Sequence, residues 1–253
     1  MIPTPENMRK YYAKKRAEKK KALKVHTKVS NTFIENAIQK SNLSALKTIY
    51  YLATILSEDD IKNIKDNKII GIKIDKREML KYTELSAPTL VKTTKQLQQT
   101  SITFVDKDGG IEGMALLPRY FFVPNKNIVE IDLYVRIAKL IIKVKKNYTQ
   151  INTKELMKIS KAHTLRLLAL LNRISQYDKD IPKRKKMTLH ELNAFFGVNY
   201  KKWNMIEKEI LKPAKEELDK KSKISFIYEA NYEVLGRGRP GFKDVSIDVV
   251  IKD

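Results

Sequence analysis

The spacing of hydrophobic residues along the chain changes between the period of a helix and the alternation of a strand, which predicts a mixed α+β fold. From residue 31 to residue 55, apolar side chains recur every three or four positions, the pattern of two amphipathic helices. Residues 70–74 then alternate isoleucine with glycine or lysine, which predicts a short strand. Asp75 and Glu78 follow with the spacing of a capping box, so we expect a short helix over residues 76–82.

A second helix follows this short one after a tight turn. Residues 83–85 form the connector, and Ser86 can cap a helix that runs to about Gln99. The next segments form a hairpin, with a strand over 102–105, a turn over 106–110 (DKDGG) and a returning strand over 111–123. A hairpin directly after the second helix of a helix-turn-helix is the wing of a winged-helix domain. A third strand over 128–133 and an apolar helix over 135–142 complete this half.

The second half of the chain repeats the order of these elements without repeating the residues. We first predict helices over 153–159 and 162–174 and a basic loop over 183–186. A capping box at Thr188 and Glu191 then opens a helix that Gly197 ends, and a connector over 198–200 leads to a long helix over about 201–220. Strands over 224–234 and 245–251, joined through GRGRPG at 236–241, complete this half. We therefore predict two tandem winged-helix domains, at 27–144 and 145–253, after a basic N-terminal segment at 1–26.

The long helix of the second half has an apolar face and a cationic face. At about 100° per residue, the positions on one side are Trp203, Ile206, Ile210, Ala214 and Leu218. The opposite side carries Lys201, Lys208 and Lys212, flanked by Asn204 and Lys215. A solvated charged face is the competing interpretation, but the second helix of a helix-turn-helix with a wing behind it favours contact with DNA.

The second helix of the first half has the same division. Its predicted inward positions are Ala87, Leu90, Thr94 and Leu97, and its outward positions are Thr89, Lys92, Lys95, Gln96 and Gln99. Glutamine and lysine can reach base edges and phosphates respectively. The complete predicted DNA-binding set is Ser86, Thr89, Lys92, Lys95 and Gln96 in the first domain, and Lys201, Lys202, Asn204, Lys208, Lys212, Arg237 and Arg239 in the second.

The charge of the chain indicates a polyanionic partner. Its 253 residues include 51 Lys and Arg against 29 Asp and Glu, a formal net charge of +22. Nucleic acid is the favoured partner and an anionic membrane surface the alternative. The basic run from Arg9 to Lys24 predicts nonspecific phosphate contact, or else serves only solubility. With no membrane-spanning stretch and no apolar signal core, we expect a cytoplasmic protein that does not bind a membrane.

Candidate chemistry for catalysis is sparse. The absence of cysteine excludes disulfides, a thiol nucleophile and cysteine-based zinc fingers. His26, His163 and His190 are too dispersed to form a metal-binding motif. The sequence GRGRPG satisfies G-x-G-x-x-G, but a strand rather than a helix follows it, which argues against a dinucleotide site. We therefore expect no enzymatic activity, no metal and no cofactor, and we interpret this loop as a wing tip in which Arg237 and Arg239 reach a groove.

Five segments of the chain carry a family pattern. In the first half they are VSNTFIENAI (Val29–Ile38) and LSALKTIYYL (Leu43–Leu52). The more specific ones are MTLHELNAFFGV (Met187–Val198), YKKWNMIEKEILKPAKEEL (Tyr200–Leu218) and ISFIYE (Ile224–Glu229). Together these segments resemble one known family, the iteron-binding initiator replication (Rep) proteins of plasmids. The order and spacing of these segments carry the resemblance, and the basic run from Arg9 to Lys24 departs from the family pattern.

The resemblance implies two winged-helix domains that bind directly repeated sites, the iterons, in double-stranded DNA at a plasmid origin. It also implies melting of an adjoining A·T-rich segment, contact with the host initiator and the replicative helicase, and a homodimer, in equilibrium with the monomer, that represses its own gene. By position it makes the helix starting at Tyr200 the main recognition helix and residues 236–241 the C-terminal wing. A transcriptional repressor of similar fold without a replication role is the first alternative. A rolling-circle nickase is the second, disfavoured by the lack of a histidine cluster.

Overall fold

A computed structural model describes residues 26–31, 34, 42–105, 111–142, 148–234 and 240–252 of the chain. The N-terminal half contains β1 (His26–Ser30), α1 (Leu43–Ile55), β2 (Ile69–Asp75), α2 (Lys76–Thr83), α3 (Ala87–Gln99), β3 (Ser101–Val105), β4 (Ile111–Ala115), β5 (Arg119–Phe122), β6 (Ile128–Tyr134) and α4 (Val135–Ile142). The C-terminal half contains β7 (Tyr148–Asn152), α5 (Thr153–Lys158), α6 (Ala162–Ser175), β8 (Arg184–Thr188), α7 (Leu189–Phe196), α8 (Trp203–Ile206), a π-helical segment (Glu207–Leu211), α9 (Lys212–Lys221), β9 (Ile224–Glu233) and β10 (Gly241–Ile251). Residues 203–221 are continuous and form the second helix of the C-terminal helix-turn-helix, which the family resemblance implies is a recognition helix and which we call the second recognition helix.

The N-terminal half has the predicted winged-helix order. Its antiparallel sheet has the strand order β2-β6-β5, and the wing is a separate hairpin in which Ser101 of β3 lies opposite Ala115 of β4. Two of the predicted helix starts are confirmed by capping side chains. The Asp75 carboxylate accepts a hydrogen bond from the Glu78 N–H at 3.0 Å, and the Ser86 hydroxyl accepts one from the Thr89 N–H at 3.3 Å.

The prediction of one returning strand over 111–123 is wrong, because the strand is interrupted at residues 116–118. Leu116 and Leu117 are both fully buried, whereas consecutive residues of a regular strand point to opposite faces. Pro118 lacks an N–H and cannot continue a ladder. As a result β4 completes the wing, and β5 crosses to the main sheet to pair with β6.

The C-terminal half is built on an antiparallel sheet with the strand order β8-β10-β9. The predicted basic loop over 183–186 is wrong, since Arg184–Thr188 forms β8. Met187 in this strand is buried at 5% exposure, and Arg184 forms an ion pair with Asp248 of β10 at 2.7 Å. Pairing with β10 gives this lysine-rich segment partners that its own sequence does not reveal.

A strand pair that the periodicity did not predict connects the beginning of the described chain to its middle. His26 lies opposite Asn152 and Ser30 opposite Tyr148, so β1 and β7 are antiparallel neighbours. The predicted helix in the first part of residues 31–55 lies mostly outside the described residues. Helix α1 packs against α6, whose side chains from Thr164 to Asn172 are all buried.

Candidate nucleic-acid interface

The second recognition helix buries the side that the sequence predicts. Trp203 is 7% exposed, and the other four predicted inward positions are at or near complete burial: Ile206, Ile210, Ala214 and Leu218. Leu211 and Glu217 are buried as well. The apolar face therefore fixes which side of this helix points away from the domain.

The helix begins at Trp203, two residues later than predicted. Lys202 occupies the N-cap position in an extended conformation, and Lys201 precedes it, so both lysines lie just before the first turn. Lys201, Lys202, Asn204, Lys208 and Lys212 are all exposed. The five predicted residues of this segment thus lie on the protein surface at the start and on the outward side of one helix.

Acidic neighbours pair with two of these lysines. Lys208 Nζ lies 3.6 Å from a carboxylate oxygen of Glu209, and Lys212 Nζ lies 3.3 Å from one of Glu207. Both glutamates belong to the π-helical segment. Both lysine side chains are exposed, and a surface ion pair of this kind contributes only about 0.2–1 kcal/mol to folding stability. A DNA phosphate can therefore replace either carboxylate at little cost in free energy.

Glu207 also accepts a hydrogen bond from the Tyr228 hydroxyl of β9 at 3.1 Å. Burial, together with this contact to a carboxylate, raises the pKa of Tyr228 to about 12. The phenol therefore stays protonated and keeps its role as donor. Glu207 consequently ties the middle of the recognition helix to the sheet, and it holds Lys212 on the helix surface.

The turn before this helix is held by one side chain that the sequence did not single out. The Nδ2 of Asn193 in α7 donates to the carbonyl oxygen of Tyr200 at 2.9 Å, and its Oδ1 accepts from the Tyr200 N–H at 2.8 Å. The capping box of Thr188 and Glu191 starts α7 as predicted, and Gly197 ends it in a left-handed conformation at φ 68°. Asn193 therefore clamps the turn next to Lys201. An asparagine inside a helix, where its propensity is low, was the available sequence signal.

An aromatic stack joins the start of the second recognition helix to the base of its wing. The rings of Trp203 and Phe242 are stacked, with centroids 4.7 Å apart and planes at 6°. Tyr232 meets the Phe242 ring edge-on at 6.2 Å, and Tyr228 meets Trp203 at the same distance. Since Phe242 lies in β10 and Tyr232 in β9, the stack orients the hairpin relative to the helix. Arg237 and Arg239, the predicted wing-tip residues, lie outside the described residues.

In the first recognition helix, α3, the predicted inward face is mostly correct. Leu90, Thr94 and Leu97 are buried, but Ala87 is exposed, because it occupies the first turn directly after the cap, where the helix has not yet reached the core. Lys92 and Lys95 are exposed as predicted.

The remaining predicted residues of α3 have partners within the protein. The hydroxyls of Ser86 and Thr89 are 2.7 Å apart, and both belong to the helix cap. Gln96 Oε1 accepts a hydrogen bond from Asn42 Nδ2 at 2.7 Å, so this side chain joins α3 to the start of α1. Lys92, Lys95 and Gln99 are exposed on the outward side of α3, as the sequence predicts.

The turn between α2 and α3 is held by an ion pair. Lys47 of α1 is buried, and its Nζ lies 3.2 Å from a carboxylate oxygen of Glu84. Glu84 ends α2 in a left-handed conformation with φ 55°, which is uncommon for a residue other than glycine. The two helix-turn-helix units therefore use different contacts at the same place in the fold.

In the described part of the chain, no three or more His, Asp and Glu side chains come together in a way that could hold a metal ion. None of the helices in those residues is both long and apolar enough to cross a membrane.

Two helix-turn-helix units, each followed by a hairpin and each with exposed lysines on its second helix, define a double winged-helix DNA-binding protein. Residues 26–172 match the family model described as Initiator Replication protein, WH1, and residues 188–248 match that of Initiator Rep protein, WH2. The chain belongs to the initiator replication protein family.

A solved structure agrees with this fold. The chain is similar to the Pi initiator protein, whose crystal structure was solved in complex with iteron DNA, with a TM-score of 0.69 and 15% sequence identity. The match covers 91% of this chain and 99% of the other. No curated protein sequence matches the chain significantly.

Proposed function

We propose that this protein initiates plasmid replication by binding iterons in double-stranded DNA with both recognition helices. The observation that supports this proposal most directly is that each winged-helix unit buries the apolar side of its second helix and exposes lysines on the other side. Membership of the initiator family and the fold shared with the Pi initiator support iterons as the target. The proposed DNA-contacting residues are Ser86, Thr89, Lys92, Lys95, Gln96, Lys201, Lys202, Asn204, Lys208, Lys212, Arg237 and Arg239.

Within this set the contacts divide by chemistry. Lysine binds phosphate as a point charge, so Lys92, Lys95, Lys208 and Lys212 supply electrostatic affinity. Asn204 is exposed in the first turn of the second recognition helix, and an asparagine amide can form two hydrogen bonds with adenine in the major groove. Ser86 and Thr89, which already cap α3, can donate to a backbone phosphate from the helix N-terminus.

A footprint on the replicon that encodes the chain tests this proposal. Two recognition helices that enter successive major grooves lie about 10 bp apart, so one monomer should protect roughly 20 bp of each direct repeat. A duplex of the same composition with a scrambled repeat is the control. Protection of about half that length would contradict two-domain binding, and equal binding to both duplexes would contradict iteron recognition.

The further steps of initiation follow from the same proposal. The monomer opens an A·T-rich segment beside the iterons and recruits the host initiator and replicative helicase, and the homodimer represses its own gene. Loading of purified helicase on a supercoiled origin plasmid tests recruitment. If the protein binds and represses but loads no helicase, the chain is a repressor rather than an initiator. We place the domains at 27–144 and 145–253, after the basic segment at 1–26.

A further inference from the structure

One apolar side chain lies on the exposed side of the second recognition helix, between lysines that precede it and lysines that follow it along the chain. Met205 is 38% exposed, in the first turn of that helix and outside the hydrophobic core. At about 100° per residue it lies roughly 200° from Trp203, almost opposite the buried tryptophan. Lys208 falls on one side of this position and Glu209 on the other. Met205 thus lies within the proposed DNA-facing side, after Lys201 and Lys202 and before Lys208 along the helix axis.

Met205 is an apolar side chain among polar ones, so it fits a DNA group that is itself apolar and lies among polar groups. Asn204 precedes it and Lys208 lies one turn further along, and both are exposed. When Lys201 and Lys202 before the helix and Lys208 and Lys212 along it bind phosphate, the exposed side between them lies over the base edges of the major groove. The thymine C5-methyl is the apolar group on those edges.

We infer that Met205 contacts the methyl group of a thymine in the major groove of the iteron. The inference rests on the proposed function and makes Met205 a specificity-determining residue of that site. An unbranched thioether side chain suits this contact, because it is flexible and polarisable enough to follow a methyl group in a groove. The contact adds discrimination against cytosine, which carries a hydrogen in place of the methyl group, and against adenine and guanine, which present an N7 acceptor on that edge.

Deoxyuridine substitution isolates this contact, because deoxyuridine differs from thymidine only by the missing methyl group. Duplexes carry one direct repeat from the replicon that encodes the chain, with each thymine replaced singly, and binding is measured by fluorescence anisotropy. For the unchanged protein, one thymine position should show a loss of about three- to fivefold in affinity, the value of one buried methyl group. Met205→Ala should bind the all-thymine repeat more weakly by at least that factor, and the same deoxyuridine should then have no further effect.

Two variants serve as controls. Met205→Leu keeps an apolar side chain and should retain sensitivity to the methyl group. Lys208→Ala should weaken binding but should leave the ratio of the affinities for the thymine and deoxyuridine duplexes unchanged. Because Met205 is outside the core, the thermal midpoint of Met205→Ala should equal that of the unchanged protein, which separates lost contact from lost folding.

The outcomes separate this inference from the proposed function. If the unchanged protein prefers the repeat over a scrambled duplex but no deoxyuridine affects it, or if Met205→Ala keeps the same sensitivity, the methyl contact is refuted and iteron binding stands. If the protein does not distinguish repeat from scrambled duplex, iteron recognition itself fails. If Met205→Ala changes self-association in sedimentation but leaves DNA binding intact, Met205 faces a protein surface and the inference is overturned.

Discussion

Replacing Trp203 with alanine should destabilise the C-terminal domain, whereas replacing Lys208 should leave its stability nearly unchanged. The two residues lie on opposite sides of one helix, with Trp203 at 7% exposure and the Lys208 side chain at 77%. Their substitutions therefore separate the packing role of the helix from its DNA-binding role.

The folding free energy lost on Trp203→Ala follows from the contacts of the indole ring. Truncating a buried aromatic side chain to alanine costs about 3–5 kcal/mol of folding free energy. The stacked ring of Phe242 at 4.7 Å and the edge-on ring of Tyr228 at 6.2 Å place the expected cost toward the upper end of that range, since aromatic pairs contribute about 0.5–1.5 kcal/mol beyond area burial. Lys208 loses only an exposed ion pair with Glu209.

Each variant requires a chemical unfolding curve followed by circular dichroism and a binding isotherm on matched and scrambled iterons. Trp203 is the only tryptophan in the chain, so its fluorescence also reports unfolding of this domain in the lysine variant. Lys208→Ala should lose about 1–3 kcal/mol of binding if the lysine contacts a base, and less, equally on all sequences, if it meets only phosphate. Should Lys208→Ala unfold early while Trp203→Ala folds normally and fails to bind, the helix orientation argued above is refuted.

Three further predictions concern the turn, the wing and the electrostatics. Asn193→Asp removes the donor to the Tyr200 carbonyl, so it should lower both the affinity for the matched iteron and the unfolding midpoint. Asn193→Ser should have the same effects, because its side chain is too short to bridge both backbone groups. Unchanged specific binding in both variants would refute the role of this clamp. Replacing both Arg237 and Arg239 with alanine should weaken binding most on sites with A·T-rich flanks, measured by anisotropy, and should leave thermal stability unaffected; an equal loss on G·C-rich flanks would argue against minor-groove contact. If about six to eight phosphates are neutralised, log K should fall with log salt at a slope of roughly −5 to −7, and a slope shallower than about −2 would show that the basic faces are misplaced.

The parts of this fold that could be predicted from sequence are those fixed by local patterns. The caps at Asp75, Ser86 and Thr188 depend on contacts within four residues, and the structure confirms all three. The inward face from Trp203 to Leu218 follows from helical periodicity, which is also local. These features need no knowledge of distant segments.

The parts that could not be predicted depend on partners far along the chain. Strand β8 forms from a lysine-rich segment because β10, some sixty residues later, pairs with it. The pairing of β1 with β7 connects segments more than one hundred residues apart. Asn193 clamps Tyr200 through two side-chain hydrogen bonds and Gln96 contacts Asn42 through one, and no periodicity encodes such contacts. Sequence patterns therefore indicate which face of each recognition helix is exposed, but not what fixes its position.

The contacts that position the second recognition helix differ in kind from those proposed to bind DNA. Amide hydrogen bonds from Asn193 and ring packing between Trp203 and Phe242 hold the helix, and added salt screens neither of them strongly. Lysine contacts with phosphate, in contrast, weaken steeply as salt rises. Added salt should therefore remove affinity while the helix, its turn and the base of the wing keep their geometry. Base contacts such as those proposed for Asn204 and Met205 then account for a growing share of the remaining binding, so the ratio of specific to nonspecific affinity should rise with salt concentration.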